Sequence, residues 1–292
     1  MFFQIVSIVF PIFGVIVVGY LYGRRRRPDM IATNQVNMDI FVPALIFSAL
    51  VGRSFEFAEV RMIAIGGALI VLGSGLLGWP VARLAGCSPK TLLPPMMFKN
   101  AGNMGLPLLL LAFGDKVLPA AVILFLIESV MHFSIGTYWL GHNVNIWRLF
   151  RDPVFAAGTA GVLVSMSGVA LWPPFMSAMK IIGDVSTGLM LFSLGVRLNT
   201  APFAEWRIGA VGAIATPVTG MLVAWVFCVA SGLSSAEKDV LLLFGALPPA
   251  VLNFMFAERY GQEPQKVASI VIMGNLAALV AISAALAIRL SS

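Results

Sequence analysis

Apolar runs of about 20 residues recur along the whole chain, separated by short charged connections, and each is long enough to cross a hydrocarbon core of roughly 30 Å as a helix. Ten such runs centre near Ile12, Pro43, Leu69, Gly105, Leu126, Gly161, Leu191, Thr216, Leu252 and Ala278. The pattern predicts an all-α membrane protein with ten transmembrane helices. No stretch remains for a soluble domain, so any binding site must lie among the helices.

Two of the runs carry internal breaks. In Phe98 to Gly114, Lys99, Asn100 and Asn103 stand ahead of Gly105 and Pro107 before four leucines resume the apolar run. Pro107 cannot donate a backbone hydrogen bond and obstructs the carbonyl one turn earlier, and glycines lower the cost of leaving helical geometry. The ninth run has the same grammar: Gly245, then Pro248 and Pro249, then the lone amide Asn253. Non-helical backbone persists in a bilayer only where protein or a water-filled cavity satisfies its polar groups. Matching interruptions in corresponding spans therefore point to a binding site, where half-helix N-termini offer free amides to an anion.

An odd number of spans per half inverts the second half in the membrane, so residues 1–147 and 148–292 are predicted to be two inverted five-helix repeats. Pro43 to Ser48 can be laid on Gly188 to Ser193 at a displacement of 145, and Gly114 on Gly261 at 147. The boundary falls near Arg148 to Pro153.

Composition agrees with the pattern. Of 292 residues 59% are hydrophobic and 11% charged, with a mean hydropathy of +0.95, far from the balance of a soluble domain. Arg24 to Arg27 follow the first run instead of preceding it, so that run is expected to be a span and not a signal peptide. With the N-terminus outside, the cytoplasmic loops hold twelve basic residues (Arg24 to Arg27, Arg83, Lys90, Arg148, Arg151, Arg197, Arg207, Arg259 and Lys266). The other side holds six: Arg53, Arg61, Lys116, Lys180, Lys238 and Arg289. The positive-inside rule then puts both termini on the non-cytoplasmic side; a bacterial inner (plasma) membrane is the expected location. The net charge of +6 is mostly these loops and calls for no nucleic acid. Cys87 and Cys228 imply neither a disulfide nor a metal site, and no cofactor is expected.

The polar residues inside the spans are the candidates for chemistry. Asn100 and Asn103, three apart, share a helix face from which their amides could bond a carboxylate; the alternative is interhelical glue. Lys99 could attract an anion or snorkel to the headgroups. Glu128 and His132, four apart in the fifth run, form a proton-sensitive pair, with Glu128 contacting substrate or carrying a coupling proton and His132 serving a neighbouring carbonyl. Asn253 pairs with Asn100 across the halves as a site residue. Asp184 is expected to cap the seventh span, with Ser186 and Thr187 behind it. Glu258 and Arg259 read as an interfacial ion pair. With only His132 and His142 and no metal motif, an intramembrane enzyme is disfavoured. A channel would want an uninterrupted polar pore.

Three stretches carry a family resemblance: Asn100-Ala-Gly-Asn-Met-Gly-Leu-Pro107, Asp184-Val-Ser-Thr-Gly-Leu-Met-Leu-Phe-Ser-Leu-Gly195 and Ala257-Glu-Arg-Tyr-Gly261. With them the chain resembles, over nearly its whole length, the auxin efflux carrier family of plant PIN-formed auxin exporters and bacterial carriers of malonate and other organic acids. The resemblance implies fourth and ninth helices that cross at their breaks, a scaffold bundle and a transport bundle, and elevator-like alternating access. It also implies a small organic anion, auxin-like or malonate, bound near the crossing, and efflux by a secondary transporter; Asn100, Asn103, Asn253, Glu128 and Lys99 are the residues expected to bind it, Lys99 not being carried over from the plant pattern. A homodimer that fixes the scaffold is a further implication. A sodium-coupled organic-anion symporter of the bile-acid type shares the crossed-helix architecture and is the alternative. The plant proteins carry a proline at the ninth-helix crossing where Asn253 is expected here, and the long cytoplasmic loop of many plant exporters is missing.

Overall fold

The computed structural model describes residues 2–51, 57–141, 151, 153–200 and 205–291, and every regular element among them is helical. The helices are α1 (Phe2–Arg26), α2 (Ile31–Val36), α3 (Val42–Leu50), α4 (Phe57–Leu84), α5 (Pro89–Met97), α6 (Leu106–Phe113) and α7 (Leu118–Met131). They continue with α8 (Thr137–Gly141), α9 (Pro153–Ser167), α10 (Pro173–Arg197), α11 (Trp206–Ala230), α12 (Ser235–Ala246), α13 (Leu252–Arg259) and α14 (Pro264–Ser291). Arg53, His142 and Arg148, and with Arg148 most of the expected boundary between halves, lie outside the described residues.

All ten predicted centres fall in helical backbone, yet among the described residues six helices are long and apolar enough to cross a bilayer. These are Ile5–Arg26, Arg61–Leu84, Asp115–Gly141, Pro173–Arg197, Trp206–Ala230 and Pro264–Ala287. The other runs are short or divided, and proline explains much of the division. Wide π turns at Asn37–Phe41 and Ala101–Gly105 each end two residues before a proline, Pro43 and Pro107. A proline ring collides with the carbonyl one turn back, and widening the turn makes room for it. Gly105 and Pro107 are thus not the break itself: the helix leaves its path at Phe98 to Asn100 and has resumed, as a π turn, before Gly105.

The seventh span corrects another expectation. Pro173 and Pro174 occupy the first turn of α10, where a missing N–H costs nothing, so the helix starts eleven residues before Asp184. Asp184 lies mid-helix on the exposed face, 3.5 Å from Lys180, and caps nothing.

The helices assemble in two groups. In the first, α1 packs along α10, and α3 packs against α9 and α10. Glycines set the α1–α10 approach: a Cβ on Gly19 would strike the Phe192 carbonyl, and one on Gly195 the Ile16 carbonyl. In the second group α11 packs on α4, α5, α12 and α14, α4 also meets α7, and α13 lies on α14. Short helices α6 and α13 both end at a glycine with positive φ, Gly114 (76°) and Gly261 (62°), the pair aligned from the sequence.

Candidate functional site

The two interrupted runs meet at their breaks. Lys99 and Pro249 form an antiparallel bridge: the Asn100 N–H donates to the Pro248 carbonyl at 2.7 Å, and the Ala250 N–H donates to the Phe98 carbonyl at 3.0 Å. Each break therefore satisfies backbone groups of the other, which is how non-helical chain is kept at membrane depth. Pro249, without an N–H, costs the bridge nothing because neither bond uses its nitrogen. The crossing residue of the ninth run is thus Pro249. Asn253, expected there, lies four residues further on, as far past Pro249 as Asn103 lies past Lys99.

Side chains brace the crossing. The Asn253 amide donates to the Phe98 carbonyl at 2.9 Å and the Ala250 carbonyl at 3.0 Å. Asn100 donates from Nδ2 to Asn275 Oδ1 at 2.9 Å, and Asn275 donates in turn to the carbonyls of Pro249 (3.1 Å) and Val271 (2.7 Å). His132 stacks on Phe98, ring centroids 4.0 Å apart and 7° from parallel, with Phe256 edge-on at 4.9 Å. Its Nε2 is buried with no partner within hydrogen-bond distance, and the polar side chain beside the ring is that of Asn253.

Beside the crossing, between the two helix groups, lies a cavity of about 390 Å³. The second group supplies Lys99, Asn100, Asn103, Glu128, Ser129 and His132 to its wall; the first supplies Asn34, Gln35, Ser193 and Arg197. Lys99 is 1% exposed and donates from Nζ to the Thr216 carbonyl at 2.7 Å, which rules out snorkelling to the headgroups. The Glu128 carboxylate, also buried, faces the backbone N–H groups of Lys99 and Ala101, at the start of the resumed helix. Among the described residues it is the one acidic residue in the cavity wall. Facing it, the Ser193 hydroxyl donates to Asn34 Oδ1 at 2.6 Å.

Of the residues singled out in the sequence, Lys99, Asn100, Asn103, Glu128 and His132 come together on this wall, whereas Asn253 stands behind it as a brace. Asn275, Thr216, Asn34, Ser193 and Arg197 were missed. Asn275 is a lone amide in an apolar run, the signal that singled out Asn253. Arg197 looked like a loop charge because it ends its helix.

A second cavity of about 540 Å³ lies on the other face of α13, lined by Glu258, Gln265 and Asn275 and sharing Leu194, Arg197, Val251 and Met255 with the first. Glu258 lines it, while Arg259 sits 5.8 Å over the Tyr260 ring. Near the start of α14, Lys266 and the Thr91 hydroxyl hold the Glu263 carboxyl below the usual carboxylate range and tie α5 to α14.

The family described as "Membrane transport protein" matches residues 4–142 and 137–286. The uncharacterized transporter YfdV of Escherichia coli (strain K12) is 25% identical over 284 residues, covering 86% of each chain. Auxin efflux carrier components 2 and 1 of Arabidopsis thaliana are 30% and 29% identical over 144 residues, 47% of this chain but only 22% and 23% of their own lengths.

Proposed function

The chain belongs to the membrane transport protein family, the family of the auxin efflux carriers, and on that premise we propose that it is a secondary transporter exporting a small organic anion by elevator-type alternating access. The observation that carries this reading is the cavity at the crossing, where Lys99, Asn103 and Glu128 face Arg197 across the gap between two helix groups. One cavity set between two bodies suits alternating exposure; a continuous pore would need a polar path through both. The group of α1, α3, α9 and α10 is the scaffold in this reading, fixed by a homodimer, and the group bearing the crossing is the part that moves.

Ten helices in two inverted repeats account for the paired breaks, the antiparallel bridge between them and the matching glycines Gly114 and Gly261. With both termini outside a bacterial plasma membrane, Asn34, Val154 and Arg197 adjoin the cytoplasmic loops, so the cavity as seen is the one loaded from the cytoplasm. An inside-negative potential then favours export by about 2.3 kcal/mol per charge at 100 mV. The substrate class is a monocarboxylate of auxin type or a small acid such as malonate, its carboxylate taken by the Asn103 amide and the two cations.

Thermal stabilisation of the purified protein by a panel of carboxylates, indole-3-acetate and malonate among them, tests the reading. One acid is expected to raise the melting temperature of the native protein and not of Asn103→Ala. No shift with any acid, or a shift that survives the substitution, would move the substrate away from the crossing.

A further inference from the structure

The Lys99 ammonium is a costly group to bury. It lies at membrane depth with 1% exposure, and the bond it makes is to a neutral carbonyl, that of Thr216. A buried cation placed so is expensive unless its surroundings are built for positive charge. Those surroundings are. Helix α12 ends at Ala246, one residue past Gly245, so its last carbonyls lack intrahelical partners and present the negative end of a helix dipole. The Gly245 carbonyl and the Lys99 Nζ converge on Gly220 of α11, where an added Cβ would strike the carbonyl and lie 2.6 Å from Nζ. The Thr216 hydroxyl is buried beside its own carbonyl and has no hydrogen-bond partner.

Unwound backbone carbonyls and the C-terminal ends of half-helices are what coordinate a sodium ion in carriers with broken helices. Here the charged end of a side chain has that place. The charged residues in the cavity wall, Lys99, Arg197 and Glu128, already sum to a net positive charge without any bound ion.

We propose that the Lys99 ammonium is a tethered counter-cation, filling a cation site formed by the end of α12 and by Thr216, so that the carrier holds its anion with no sodium ion. The side chain is attached to the crossing, so the charge travels with the site and never has to be loaded or released. This sets the protein apart from a sodium-coupled symporter of the same architecture. Only its last step, anion binding, rests on the function proposed above.

The experiment measures melting temperature and carboxylate binding of the full-length protein in sodium chloride and in N-methyl-D-glucamine chloride. The native protein is expected to be indifferent to the exchange, with affinities equal within about twofold. A sodium-dependent gain of about tenfold or more overturns the proposal. Lys99→Ala, which vacates the site, is expected to melt lower in N-methyl-D-glucamine chloride and to recover part of the loss in sodium or methylammonium chloride. A loss that no small cation repairs, or no loss at all, would show that Lys99 only fills space. Should the single variant not fold, Lys99→Met with Glu128→Gln removes the charge and its counter-ion together; it is expected to fold and to ignore sodium, and a sodium requirement there also overturns the idea. The melting arm contains no carboxylate. If no acid binds the native protein the proposed function fails, while the tethered-cation inference is still decided by the response of Lys99→Ala to sodium.

Discussion

Asn100, at the break between α5 and α6, and Asn275 in α14 are joined side chain to side chain at 2.9 Å, and Asn275 passes the connection on to the Pro249 carbonyl at 3.1 Å. The pair links both broken helices to an unbroken one, so the crossing is held by α14 as well as by its own bridge. Asn275→Ala is expected to leave the Pro249 carbonyl unpaired and to cost about 1–3 kcal/mol. A double-mutant cycle with Asn100→Ala, read by thermal unfolding in detergent, should return a coupling of about 0.6–1.7 kcal/mol. Additive effects would mean that the two amides act independently.

Gly220 and Gly245 let α11 and α12 touch through their backbones, since a Cβ on Gly245 would lie 2.5 Å from the Gly220 carbonyl. Gly220→Ala should lower stability by about 1–3 kcal/mol through overpacking. Gly188→Ala, in a helix where an added Cβ meets nothing within 4 Å, is the control and should be close to neutral. Equal effects on melting temperature would contradict the packing account.

His132 is held chiefly by its ring, which stacks on Phe98, with the Asn253 side chain as its polar neighbour. His132→Phe should retain nearly native stability, whereas His132→Ala should cost about 3 kcal/mol as an aromatic deletion. If His132→Phe is as damaging as His132→Ala, the imidazole nitrogens matter and this assignment is wrong.

Glu263 is held below its ordinary value of 4.5 by Lys266 and Thr91. A depressed carboxylate binds fewer protons folded than unfolded, so its contribution is complete above the unfolded pKa and is lost as pH falls through the folded one. Between about pH 6 and pH 3 the native protein should therefore lose more stability than Glu263→Gln does, with the difference confined to the acid side of 4.5. Parallel pH profiles for the two proteins would remove the role assigned to this contact.

The helical class, the ten centres and the two broken runs were legible because bilayer burial leaves a strong one-dimensional signal: apolar length, with proline, glycine and lone amides as its interruptions; that the two breaks meet was implied by the family resemblance alone. Residue-level roles were less so. Pro107 looked like the break because its missing N–H is visible in sequence, but a π turn absorbs it; the chain departs at Phe98 to Asn100, where it gains hydrogen bonds from a strand of chain about 150 residues away. Asn253 and Asn275 are equivalent lone amides by composition, and only the antiparallel pairing separates brace from hub. Asp184 resembled a cap because a polar residue preceded an apolar run, whereas the helix had begun at Pro173. Arg197 faces the cavity because its helix ends there, which no local pattern encodes.

The central claim is an organic-anion site at the crossing, and the most direct measurement is efflux of a labelled carboxylate, identified by thermal stabilisation, from proteoliposomes holding the native protein, Asn103→Ala or Asp184→Ala. The account predicts saturable efflux by the native protein and by Asp184→Ala, whose side chain lies on the exposed face of α10, with transport by Asn103→Ala reduced about tenfold or more. Efflux unchanged in Asn103→Ala, at equal amounts of folded protein, would contradict it.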